Sequence, residues 1–61
     1  MNDTLHTPDA LAEYLGKTVE SLAQMRYRGT GPKFVKLGRK SVRYRDVDIQ
    51  EWLEQNVKDR T

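Results

Sequence analysis

The sequence predicts a mainly α-helical domain with one β-hairpin, in the order helix, turn, helix, hairpin, helix. Three observations carry this prediction: a Thr residue opens each of the first two helices, a Gly ends each of them, and a short stretch of β-branched and aromatic residues precedes the third helix. The chain has 61 residues, enough for one domain, so we expect a single domain spanning residues 1–61.

The first two helices are predicted from their end signals. Thr7 can cap a helix that begins at Pro8, and Gly16 supplies the left-handed residue that ends it after two turns. Thr18 can cap the second helix, which runs over about residues 19–27 before the Gly29-Thr30-Gly31-Pro32 stop. Helical periodicity places these residues on the buried faces: Leu11, Ala12 and Leu15, then Leu22 and Met25.

The hairpin is predicted over residues 34–37 and 42–44, with Gly38-Arg39-Lys40-Ser41 between the strands. We expect Val35 to pair with Tyr44 and Leu37 with Val42, all four on the core side. This register sends Lys36 and Arg43 outward and leaves Arg39 and Lys40 at the tip.

The third helix is expected to start at Asp46, whose carboxylate can cap it. Ile49, Trp52 and Leu53 repeat at helical spacing, and Val57 follows one turn later. Trp52 is expected to be the main core anchor because of its size. Residues 1–4 and 59–61 are expected to fray.

Positive charge is concentrated in the middle of the chain. There are 11 Lys or Arg residues against 9 Asp or Glu, yet residues 21–45 hold eight bases and no acid. The formal charges of residues 1–20, 21–45 and 46–61 are −3, +8 and −3. A patch of this kind is typical of proteins that bind a phosphate backbone, although a solvated surface loop gives the same composition.

Two helices joined by a tight turn form a helix-turn-helix unit, and a following two-stranded ribbon can act as a wing, so the predicted fold is a winged helix-turn-helix. The second helix can enter the DNA major groove while the wing contacts the adjacent backbone. The candidate DNA-binding residues on the second helix are Thr18, Glu20, Ser21, Gln24, Arg26, Tyr27 and Arg28. The candidate residues on the wing are Lys36, Arg39, Lys40 and Arg43.

Several of these side chains have two interpretations. Glu20 can accept from a cytosine amino group or stabilise the helix dipole, and Gln24 can pair with adenine or remain solvated. Tyr27 can contact phosphate or sugar, or pack under the wing. The stem of Arg26 can pack while its head reaches a phosphate or an acid on the first or third helix. For Arg39 and Lys40, DNA contact is favoured over an ordinary polar hairpin tip because the surrounding segment excludes acids.

Composition excludes several classes of function. The chain has no cysteine and a single histidine, His6, so neither a disulfide framework nor a zinc site is expected. No nucleophile–base constellation is present in a core this small, so we expect neither catalysis nor a cofactor. The apolar runs are too short to span a bilayer or to direct export, so we expect no membrane contact and a cytoplasmic location.

The chain resembles a known family over residues 5–53. The residues that carry the resemblance are Thr7-Pro8, Leu11 to Gly16, Gly31-Pro32, Val35 to Gly38, Val42 to Arg45, Asp48-Ile49 and Trp52-Leu53. Together they are similar to the small excisionase and AlpA-type proteins with a MerR-like winged-helix domain. The resemblance implies a phage or mobile-element DNA-binding protein whose reading helix is residues 19–28 and whose wing tip is Arg39-Lys40.

The resemblance implies two roles on double-stranded DNA. An excisionase, or recombination directionality factor, would bend an attachment site, associate with further copies of itself and direct an integrase toward excision. A small transcriptional regulator with the same fold would instead bind an operator. A protein-interaction module, such as an anti-repressor that holds an acidic partner on its basic face, is the alternative from a different class.

Overall fold

The computed structural model describes residues 4–58 and forms three helices and a small antiparallel sheet. The elements are β1 (Leu5–His6), α1 (Pro8–Leu15), α2 (Val19–Arg28), β2 (Val35–Leu37), β3 (Ser41–Arg45) and α3 (Asp46–Gln55). The strand order is β1-β3-β2. This arrangement confirms the winged helix-turn-helix fold, in which α1 and α2 form the helix-turn-helix and the β2–β3 hairpin is the wing.

The predicted ends of α1 and α2 are confirmed. The Thr7 hydroxyl accepts a hydrogen bond from the backbone N–H of Ala10 at 3.1 Å, and the Thr18 hydroxyl accepts from that of Ser21 at 3.0 Å. Gly16 ends α1 with a φ of 71°, and Gly29 ends α2 with a φ of 74°. Both values lie in the left-handed region that glycine adopts without a steric cost. Local chemistry therefore determines where the helix-turn-helix unit starts and stops.

The core is centred on Tyr44, which is 1% exposed and reaches the helices from the middle strand of the sheet. It packs in one cluster with the buried residues Leu11, Ala12, Leu22 and Ile49. The sheet therefore supplies the largest fully buried side chain, and helices from both sides of the sequence close over it.

The expectation that Trp52 anchors the core is wrong. Trp52 is only half-buried, and its Nε1 donates a hydrogen bond to the carbonyl oxygen of Thr30 at 3.1 Å. An indole N–H needs an acceptor, and the loop after α2 supplies one at the edge of the core. Val57, expected one turn further along α3, lies beyond the end of the helix and is 66% exposed.

The predicted hairpin register is wrong by one residue. Val35 pairs with Arg43, Lys36 with Val42 and Leu37 with Ser41. A shift of one residue moves every β2 side chain to the other face, so Leu37 is 47% exposed rather than buried. The cause is the three-residue turn 38–40, which starts at Gly38 with a φ of 84°.

Three further differences concern the start of α3 and the segment that pairs beside it. Asp46 is the first helical residue rather than the cap, and Arg45 occupies the cap position without a side-chain cap bond. The Asp46 carboxylate instead lies 3.2 Å from Nε2 of His6 in β1, a strand that the sequence did not predict. The Asp46 N–H donates to the carbonyl oxygen of Thr4 at 2.9 Å, so Thr4 is held in place rather than frayed.

Residues 1–3 and 59–61, whose fraying was also expected, lie outside the described residues. Within residues 4–58, no helix combines the length and the apolar character needed to cross a bilayer.

Candidate nucleic-acid interface

The outer face of α2 carries an exposed stripe formed by Glu20, Gln24 and Tyr27. These residues follow one another at i, i+4 and i+7, so they lie along one side of the helix over about 10 Å. Tyr27 is 92% exposed, which rules out packing under the wing as its position in this structure. Leu22 is fully buried on the opposite side of α2. The stripe is thus held outward by the core.

The start of α2 places two hydroxyl groups beside this stripe. Thr18 is exposed and Ser21 is half-buried. The Thr18 oxygen accepts the Ser21 backbone N–H, which leaves its own hydroxyl proton available as a donor. Exposed hydroxyl groups at a helix N-terminus are suited to an anionic group because the helix dipole is positive there.

The wing carries its cations on different surfaces. Arg39 and Lys40 are exposed in the turn between β2 and β3, as predicted. Lys36 is opposite Val42 and therefore shares the sheet face that carries Tyr44, which corrects the prediction that it points away from the core side. Arg43 lies on the other face, is half-buried, and its Nη1 donates to the carbonyl oxygen of Val42 at 2.8 Å.

Besides Arg43, two of the eight basic residues in the segment 21–45 donate side-chain hydrogen bonds within the protein. Arg45 makes two hydrogen bonds with the carboxylate of Asp48: Nε donates to Oδ2 at 2.7 Å and Nη2 to Oδ1 at 3.1 Å. Arg26 is half-buried, and its Nη1 donates to the Tyr44 hydroxyl oxygen at 2.7 Å. The predicted acids of the first and third helices are not the partners of Arg26. The cationic surface is consequently smaller than the sequence count of eight suggests.

The Arg45–Asp48 pair also sets the titration of a buried carboxylate. Hydrogen bonds from Arg45 hold the pKa of Asp48 below its ordinary value of 3.8, burial opposes this effect, and the charge of Lys33 adds to the lowering. Asp48 is 5% exposed, and the Arg45 guanidinium compensates its charge within the fold. Its role is to fix the junction between β3 and α3, the base of the wing.

The remaining cations are Arg28 and Lys33. Arg28 is the last residue of α2 and is exposed, so it continues the helix toward the loop that leads into the wing. Lys33 lies in that loop and is also exposed. The sequence assigned no role to Lys33, and only its position after Gly31-Pro32 could have placed it beside the wing.

Ligand-binding chemistry other than this cationic surface is sparse in the described part of the chain. Within residues 4–58, no group of three His, Cys, Asp or Glu side chains is positioned to hold a metal ion. A cavity of about 220 Å³ lies between α1 and α3 and is lined by Leu11, Tyr14, Ile49 and the His6–Asp46 pair. It is lined by neither the α2 stripe nor the wing tip.

Comparison with known proteins supports DNA binding by this chain. A protein-family model described as a helix-turn-helix domain matches residues 7–57, which covers most of the chain. No curated protein and no solved structure shows a significant match. Membership of a helix-turn-helix family supports sequence-specific binding to double-stranded DNA. The chain therefore belongs to the helix-turn-helix domain family of AlpA-like and excisionase-like small DNA-binding proteins.

Proposed function

We propose that this protein is an excisionase-like DNA-binding factor that inserts α2 into the major groove and rests its wing on the adjacent backbone. The observation that supports this best is the outward stripe of Glu20, Gln24 and Tyr27 on α2, together with the exposed Arg39 and Lys40 at the tip of the wing. The candidate side chains for base contact and for phosphate contact thus lie on α2 and on the wing, the two elements that a winged helix presents to DNA.

Base readout is assigned to the α2 stripe. The amide of Gln24 can make two hydrogen bonds with adenine, and the Glu20 carboxylate can accept from the amino group of cytosine. Tyr27, near the end of the stripe, offers a ring and a hydroxyl to sugar and phosphate. Thr18 and Ser21 lie at the N-terminus of α2, where a phosphate is favoured.

Backbone contact is assigned to the exposed cations of α2 and the wing. Arg28 lies at the end of α2, Arg39 and Lys40 at the wing tip, and Lys36 on the sheet face toward the helices. Arg43 lies on β3, on the other face of the sheet, and is half-buried. Each phosphate that such a side chain neutralises releases condensed counterions, so binding is expected to weaken steeply with salt.

The excisionase role follows from the resemblance of residues 5–53 to small excisionase proteins. One module of this size buries only about 600–1,000 Å² on DNA, so a single copy binds weakly and gains occupancy from neighbouring copies or from an integrase. The surface of α1 and α3, which carries most of the acids, is left for those protein contacts. This function places the protein in the bacterial cytoplasm, on the nucleoid.

The test is a mobility-shift titration with duplexes from the neighbourhood of the gene, run at two ionic strengths, followed by a footprint. Tandem direct sites within an attachment region, together with bent DNA in a circular-permutation assay, support the excisionase role. A single operator that overlaps a promoter indicates a transcriptional regulator instead. Binding to no duplex at low salt, or binding with no salt dependence, contradicts DNA binding by this surface.

A further inference from the structure

We infer that Arg26 does not serve as a phosphate contact but is a positioning residue that locks the wing against α2. This inference rests on the proposed function because it concerns how the DNA-binding surface is assembled. Arg26 belongs to α2, and its partners belong to the hairpin side of the molecule. No other hydrogen bond between side chains of the described residues joins α2 to the wing.

The contact has three components that converge on one guanidinium group. Nη1 donates to the Tyr44 hydroxyl oxygen at 2.7 Å, a short bond for a charged donor. Cζ lies 5.8 Å from the centre of the Phe34 ring and 6.0 Å from the centre of the Tyr44 ring. The two rings lie 6.4 Å apart at an angle of 60°. The guanidinium therefore has favourable contacts with both rings as well as a hydrogen bond.

The two aromatic partners of Arg26 connect it to both strands of the hairpin. Tyr44 is buried in the core and lies on β3, the strand that pairs with both other strands. Phe34 immediately precedes β2, and the register places it opposite Tyr44 on the same sheet face. The contact thus holds both strands of the hairpin at the wing's base, while Arg39 and Lys40 lie at the far end.

The contact of Arg26 with Tyr44 and Phe34 affects DNA affinity although none of its residues touches DNA. The wing tip can neutralise phosphates only while the hairpin keeps its angle to α2, so a molecule that loses this angle binds through α2 and lacks the phosphate contacts of Arg39 and Lys40. One hydrogen bond to a charged group biases the equilibrium between the two wing positions by roughly tenfold. Lys cannot replace Arg here because its ammonium group lacks the planar shape of a guanidinium group, which stacks on aromatic rings while its N–H groups donate hydrogen bonds.

The first arm of the test measures DNA binding of Arg26→Met, Arg26→Lys and Tyr44→Phe, with Tyr14→Phe on the exposed face of α1 as the matched control. The inference predicts a loss of affinity of roughly tenfold for all three test variants and none for the control. If Arg26 instead contacts phosphate, Arg26→Lys retains the affinity and Tyr44→Phe has no effect, and the inference is overturned.

A double-mutant cycle separates positioning from a general loss of stability. Lys40→Gln is expected to weaken binding about threefold in the unsubstituted chain but hardly at all in Arg26→Met, because the displaced wing no longer brings Lys40 to the DNA. Independent effects, with the same loss in both backgrounds, contradict the lock. All variants are measured at a temperature at which circular dichroism shows them fully folded.

The second arm uses no DNA and distinguishes failure of the lock from failure of the proposed function. Amide hydrogen exchange of β2 and β3 should accelerate by roughly tenfold in Arg26→Met and Tyr44→Phe, while exchange in α1 stays unchanged. Unchanged exchange in the hairpin overturns the inference whether or not the protein binds DNA. Faster exchange in a protein that binds no duplex retains the lock and refutes only the proposed function.

Discussion

Replacing Lys40 by Gln tests the wing as a phosphate-binding element. Five cations of α2 and the wing are candidates for one phosphate each: Arg28, Lys36, Arg39, Lys40 and Arg43. Five such contacts give a slope of log K against log salt of about −4.5, and a loss of affinity of roughly 500-fold between 50 and 200 mM salt. Without Lys40 the slope becomes about −3.6 and the loss roughly 150-fold.

The assay is fluorescence anisotropy with one labelled duplex at four salt concentrations, and Lys58→Gln is the matched control. Lys58 has the same charge and is also exposed, but it follows α3 and belongs to neither α2 nor the wing. The control should keep the slope of the unsubstituted chain. A Lys40→Gln slope equal to that of the unsubstituted protein, or an equal drop in the control, would refute the assignment of the wing tip.

Three further predictions concern α2 and the base of the wing. Gln24→Ala should lower discrimination between matched and mismatched duplexes by about 1–3 kcal/mol with an unchanged salt slope, measured by competition binding. Gly29→Ala, at a φ of 74° with open space around it, should cost about 1 kcal/mol and lower Tm by about 4–8 °C, with Gly29→Asn in between. Because the folded pKa of Asp48 is lowered, its stabilisation is present above pH 3.8 and is lost as the pH falls through the lowered value. Asp48→Asn should therefore lower the free energy of unfolding by about 1–3 kcal/mol at pH 7, as measured by urea denaturation. The free energy of unfolding of this variant should also fall less on acidification than that of the unsubstituted chain.

Features that depend on neighbouring residues were predictable from the sequence. Thr7, Thr18, Gly16 and Gly29 determine the ends of α1 and α2 through bonds and dihedral angles that span three or four residues. The outward position of Glu20, Gln24 and Tyr27 followed from helical periodicity alone. The sequence therefore predicts both the helix-turn-helix unit and the outward face of α2.

Features that depend on the geometry between secondary-structure elements were not predictable from the sequence. The β2 and β3 patterns accept two registers, and the structure has the one whose three-residue turn begins at Gly38 in the left-handed region. The size of Trp52 suggested a central position, but the centre of the core is determined by the middle strand, which brings Tyr44. This strand is central because β1 pairs with it, and two residues are too short to give a strand pattern.

The positive charge available on the surface is smaller than the acid-free segment 21–45 indicates. An acid-free segment shows where positive charge lies along the chain but not which charges are already satisfied. Arg45 finds Asp48 three residues away, and Arg26 finds Tyr44 eighteen residues away. The Arg45–Asp48 pair is close enough in the chain to be predicted from the sequence. The Arg26–Tyr44 pair depends on tertiary packing and has no local sequence signal.

An amide NMR titration with a duplex that contains the footprinted site tests whether the outer face of α2 and the wing tip form one DNA-binding surface. A single surface of this kind predicts the largest shift changes at residues 18–28 and 38–40, with α1 and the outer face of α3 nearly unchanged. Shift changes centred on α1 and α3, with residues 38–40 unaffected, would contradict it.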